Sequence, residues 1–142
     1  MLFALAWLVF AFGTCKQAAK TDKAEPVIHE EEVPHPGETL YLRYCLTCHQ
    51  SDGNGVPGMH PSLVKTEWVL GDKEELIALV LNGLSGPIEV NGEEFNSIMA
   101  PMDFINDEDL ANILSYIRSS FGNDASAITT EEVARVRAEV VE

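Results

Sequence analysis

Basic residues are scarce in this 142-residue chain: 9 Lys and Arg stand against 23 Asp and Glu, a formal net charge of −14. A phosphate backbone would be repelled, which excludes nucleic acid as a natural partner and favours a protein with a basic docking surface. Cysteine is scarce too, at three residues, and there is no second Cys-x-x-Cys to complete a four-ligand structural zinc site. Long apolar runs are also lacking. The longest, Leu2 to Phe12, covers about half the ~20 residues that a membrane-spanning helix needs.

That uncharged run at the N-terminus predicts an export segment over residues 1–15, although no Lys or Arg precedes it as in a conventional signal peptide. Phe12-Gly13-Thr14-Cys15 is similar to the cleavage and lipidation box of bacterial lipoproteins, with an imperfect fit at Phe12 and Thr14. Lipidation of Cys15 would explain the odd cysteine count and give modest membrane attachment. A simply secreted form and a short uncleaved anchor are the alternatives, and all three put the rest of the chain outside the cytoplasm. Residues 16–36, charged and punctuated by proline, read as a flexible acidic tether in which His29 and His35 are solvated histidines.

Apolar content of 46% suffices for one small core. Helical patterns predict a first helix from Gly37 to about Cys48, a second over Asp72 to Leu81, and a third opened by Asn106 and ended by Gly122. Thr129 and Glu132 open a last short helix within the extension at 123–142. Asn91-Gly92 marks a hairpin, and the glycine- and proline-rich stretch from Ser51 to Leu63 must be a loop wrapped over something rigid.

The chemistry concentrates at Cys45-Leu46-Thr47-Cys48-His49. A thiol-exchange site would put its pair at the start of a helix following a buried strand, and here the pair follows a helical pattern instead. Cys-x-x-Cys-His is the attachment signature of c-type haem: two thiols add across the vinyl groups and the adjacent imidazole reaches the iron. Met99 and Met102 offer a thioether as second axial ligand, Met99 being preferred, with a histidine or an open position as the remaining options. Without that signature either methionine would read as core filler.

From Gly37 to Gly122 the chain resembles the small monohaem class I cytochrome c domains of bacterial respiratory proteins and periplasmic dehydrogenases. The resemblance rests on "CLTCH", "GNGVPGMHPSL", "NGLSGP", "FNSIMAPM" and "NDEDLANILSYIRSSFGN", in that order. It implies a mostly α fold, a three- to four-helix domain wrapped around one covalent haem c, with residues 37–122 as that domain. It further implies His49 as proximal ligand, the Pro61 carbonyl as acceptor of the His49 ring N–H, Met99 as distal ligand and Trp68 as an aromatic at the haem edge. Gly37 and Tyr41 would cross Ile113 and Tyr116 where the first and last helices meet. Two departures stand out: Ala100 replaces the proline usual after the ligand methionine, and Ser62 interrupts a proline pair before Leu63. The implied role is a one-electron carrier, not a bond-making enzyme, between redox protein donor and acceptor in the periplasm or on the outer membrane face. A haem enzyme or gas sensor with an open or displaceable sixth position, through His60 or Met102, is the alternative. A permanent subunit of a dehydrogenase or oxidase would use the same chemistry.

Overall fold

Pro36, at the first helical position, opens helix α1 (Pro36–Tyr44), where its fixed φ suits the helix and its missing N–H costs nothing. The computed structural model describes residues 34–140, all within one compact unit. The predicted export segment, its lipidation box at Cys15, His29 and most of the tether lie outside the described residues. His35 belongs to the fold: its Nδ1 accepts the Gly37 N–H at 3.0 Å and its ring lies 5.6 Å from that of Tyr116. It caps α1 instead of trailing in solvent.

The first helix does not continue to Cys48. It stops at Tyr44, and a single turn, α2 (Leu46–His49), follows after Cys45. The chain then leaves with Gln50 at φ 62°, held by Tyr41, whose hydroxyl donates to the Gln50 carbonyl at 2.6 Å. That tie, from α1 to the residue just past α2, holds the bend. Another single turn, α3 (Glu67–Leu70), is capped by Thr66, whose buried Oγ1 accepts the Val69 N–H; four residues are too few to show a period in sequence.

Helix α4 (Lys73–Asn82) starts at Asp72, whose carboxylate accepts the N–H groups of Glu74 and Glu75. Strands β1 (Ile88–Val90) and β2 (Glu93–Phe95) form the predicted antiparallel hairpin, with Asn91 and Gly92 both at positive φ as the tight turn requires. Helix α5 (Asp107–Ser119) is capped by Asn106 and buries Leu110, Ile113, Leu114 and Ile117. It ends before Gly122, because Phe121 takes φ 59° to lay its ring on Tyr41 and Tyr116 at 5.2 and 5.6 Å. Helix α6 (Thr130–Val140) carries the predicted reciprocal cap, Thr129 N–H to Glu132 and Glu132 N–H to Thr129 Oγ1.

Helices α1 and α5 cross most closely at Gly37, where a methyl group would run into the Asn112 carbonyl. Helix α6 lies against α4 and α5 and puts Val133 and Val136 into the same core as Ile77 and Leu114. The result is a mostly α-helical domain. Among the described residues no helix is long and apolar enough to cross a membrane.

Candidate haem site

Between these helices lies a cavity of about 290 Å³, close to the lower bound of about 300 Å³ for small-molecule sites. The six residues singled out from sequence, Cys45, Cys48, His49, Pro61, Trp68 and Met99, all line it. So does Met102, and the remaining wall is mostly aliphatic, from Leu76, Val80, Leu110, Ile113 and Leu114. The long irregular stretch after His49 forms part of the wall through His60, Pro61, Ser62 and Leu63.

The turn α2 brings Cys45, Cys48 and His49 to one side. His49 N–H donates to the Cys45 carbonyl at 2.9 Å, closing the turn that sets the three side chains together. His49 Nδ1 lies 3.0 Å from the Pro61 carbonyl. A carbonyl only accepts, so Nδ1 carries the proton and Nε2 keeps its lone pair, with no protein partner among the described residues. Burial lowers the His49 pKa, opposed by the Pro61 hydrogen bond and assisted by His60, so the ring is neutral and able to ligate.

Cys45 and Cys48 are free and half-buried. Burial, helped by the neighbouring Cys48, pushes the Cys45 thiol up to about 12. Redox-active pairs depend on the opposite shift, since the thiolate is the attacking species. This environment does not suit thiol exchange. Nor, among the described residues, does any group of three or more His, Cys, Asp and Glu side chains suit a metal ion held by protein alone.

Met99 enters from a different segment. Its N–H and C=O both pair with Leu84 at 2.9 Å, a two-bond bridge that anchors the methionine strand beside the end of α4. Gly83 is needed here, because a side chain at its φ of 70° would strike the Met99 carbonyl. Met102 N–H donates to the Val80 carbonyl at 3.0 Å. Two thiols, a neutral imidazole with a free lone pair and a thioether from another segment, around an apolar cavity, fit a haem of the c type.

Trp68 is 37% exposed and donates its indole N–H to the Glu89 carbonyl at 3.1 Å, so it joins α3 to the hairpin at the rim of the cavity. Several supports were not foreseen. Arg118, only 3% exposed, gives Nη1 to the Val69 and Gly71 carbonyls and Nε to that of Ser126. Asn123 accepts the Lys65 N–H and donates to the Leu63 and Ile117 carbonyls, holding the segment after Pro61 against α5. An Asn beside Gly122 signals a turn in sequence, but its partners lie up to 60 residues away.

The family model for cytochrome c matches residues 35–121. Cytochrome c-552 of Thermus thermophilus is 37% identical over 112 residues, covering 72% of this chain and 84% of that protein. The fructose dehydrogenase cytochrome subunit of Gluconobacter japonicus is 36% identical over 107 residues, covering 72% of this chain but 22% of that longer protein. A family model spanning the cavity-forming elements, a relative matched over most of its length and a donor set suited to haem c agree: the chain belongs to the cytochrome c family and is a one-electron carrier.

Proposed function

We propose that the carrier holds its haem through thioether bonds to Cys45 and Cys48, with His49 Nε2 and Met99 Sδ as axial ligands. Each thiol would supply its sulfur and its hydrogen to one vinyl group, so nothing leaves and the covalent links would hold the cofactor in an exported protein. Bound there, the haem supplies a one-electron Fe(III)/Fe(II) couple. The chain's own residues orient and protect it. Pro61 holds the His49 ring in the tautomer that presents Nε2. The Leu84 bridge sets the Met99 strand, and the aliphatic wall from α4 and α5 excludes water. A thioether ligand favours reduced iron and raises the potential relative to a second nitrogen ligand.

The observation that carries this reading is the convergence of Cys45, Cys48, His49 and Met99, drawn from two separate segments, on one apolar cavity. Met102 lines the same cavity and is the competing ligand. Protein matured in a host able to attach haem should retain the added porphyrin mass after denaturation. Met99→Leu should abolish the ferric sulfur–iron band near the far-red edge of the visible. If the band persists there and vanishes in Met102→Leu, Met102 takes the role.

Electron exchange would occur at the cavity rim, where Ile98 is 78% exposed beside Met99. Exposed Glu89, Glu93, Glu94 and Asp103 flank this region and suit a basic partner in a small, transient interface. The cytochrome c-552 relative, matched over most of its length, favours a small carrier over a permanent subunit of a large dehydrogenase. Purification in mild detergent tests that choice, because a stably co-eluting catalytic subunit would reverse it. The proposed location is the periplasm or the outer face of a bacterial membrane, with lipid on Cys15, residues 16–36 as tether and 123–142 as a helical extension of the 37–122 domain. Cys15→Ala should release the protein from membranes.

A further inference from the structure

Ala100 follows Met99 where the family resemblance leads one to expect a proline; Pro101 restrains the backbone one position later, and the contacts that hold the rest of the methionine segment come from other elements. At Met99 itself the Leu84 bridge holds the backbone, and three residues on the Met102 N–H bond to Val80 ties the segment to α4. Beyond Met102 the hydrophobic anchoring is partial: Ile105 is buried and Phe104 sets its ring edge-on to Tyr44 at 5.9 Å, but Asp103 is exposed and Phe104 itself is 67% exposed. The polar hold on this turn is a side chain from α6, beyond residues 35–121 that match the family model. Arg137 donates Nε to Asp107 Oδ1 at 2.6 Å, Nη1 to the Asp103 carbonyl at 2.7 Å and Nη2 to the Ile105 carbonyl at 2.5 Å. The planar guanidinium thus spans one five-residue turn with all three of its nitrogens, a grip that the point charge of a lysine cannot reproduce. The other ion pairs of α6, Lys73 with Glu132 and Arg135 with Glu74, go to α4 and leave the turn alone.

We propose that Arg137 is a positioning residue for the distal ligand: it clamps the turn after Met102 so that the Met99 segment stays closed over the cavity, adding from α6 a restraint beyond that of Pro101. The proposal rests on the reading of Met99 as ligand. Its physical content is a population. An external ligand reaches the iron only in the fraction of molecules whose methionine segment has opened, so its apparent affinity reports that fraction.

The test titrates ferric holoprotein with imidazole, following loss of the sulfur–iron band. Arg137→Ala should bind imidazole roughly tenfold more tightly than wild type, the factor expected when about one charge-assisted hydrogen bond of restraint is lost. Arg137→Lys should recover only part of the difference. Asp107→Asn, which keeps the carbonyl acceptors, should shift affinity in the same direction by less, and it serves if Arg137→Ala does not fold. Arg135→Ala, on the same helix, should match wild type. A lower melting temperature with unchanged imidazole affinity in both Arg137→Ala and Asp107→Asn would reduce the clamp to a stability device and overturn the proposal. If Met99→Leu keeps the band, the ligation reading fails and the proposal with it; a band lost in Met99→Leu with wild-type affinity in the Arg137 and Asp107 variants overturns the proposal alone.

Discussion

Asn123 shows how much a single polar side chain can hold. Its amide satisfies the Lys65 N–H and the Leu63 and Ile117 carbonyls, and it is almost fully buried. Asn123→Ala leaves those groups without their partner, and each buried unsatisfied group costs about 1–3 kcal/mol. We expect a loss of roughly 2–4 kcal/mol in urea unfolding, together with a wider ferric spectrum as the segment after Pro61 loosens. Gly37 is the steric counterpart. Gly37→Ala forces α1 away from the Asn112 carbonyl, and overpacking of this kind costs about 1–3 kcal/mol. Equal urea midpoints for wild type and Gly37→Ala would mean that the α1–α5 crossing can open without penalty. Gly37 and its partner helix were legible in sequence through the family resemblance. Asn123 and Arg118 were not, because a polar residue's buried partners are set by chain crossings that leave no local pattern.

At the scale of elements, the periodic helices were the most legible. Asp72, Asn106 and Thr129 all cap where the sequence predicts, because a cap is a local contest for free N–H groups. The helix through Cys48 and the end of α5 differ because the Tyr41 hydroxyl ties to the Gln50 carbonyl past the helix end and Phe121 packs its ring on the distant Tyr41. The cap of α6 also makes the fold sensitive to acid. Glu132 accepts the Thr129 N–H and pairs with Lys73, and these hold its carboxyl below the ordinary glutamate value of 4.5. A depressed carboxyl contributes stability that is fully present above 4.5 and is lost as the pH falls through the folded-state value. Stability of wild type should therefore fall more steeply than that of Glu132→Gln below about pH 4.5. Parallel curves from denaturant titrations at each pH would remove Glu132 from the account.

For the whole molecule, charge and the last helix matter most. With a net charge of −14, encounter with the proposed cationic redox partner would be steered electrostatically. Raising the salt concentration tenfold should lower the second-order electron-transfer rate severalfold, following the shorter screening length; stopped-flow rates that do not change would sink the steering claim. Helix α6 is the other whole-molecule feature. It buries Val133 and Val136 against α4 and α5, each worth about 1.5–3 kcal/mol when fully buried. Truncation after Ser126 should lower the urea midpoint markedly and, if Arg137 acts as proposed, raise the apparent affinity of the holoprotein for imidazole.

Sequence alone pointed to a haem c site, because Cys-x-x-Cys-His is a local pattern whose residue types and spacing are specific, whereas the methionine is a distant residue whose role the motif leaves open. It also determined most helix starts and the hairpin, since caps and two-residue turns are decided by near neighbours. The Pro61 carbonyl beside His49 was implied by the family resemblance; only the tertiary structure decided that Cys45, Cys48, His49 and Met99 line one cavity and that Arg137 reaches the turn after the methionines. Those relations depend on how helices cross, and a crossing is fixed by the sum of many weak packing contacts between residues distant in the chain.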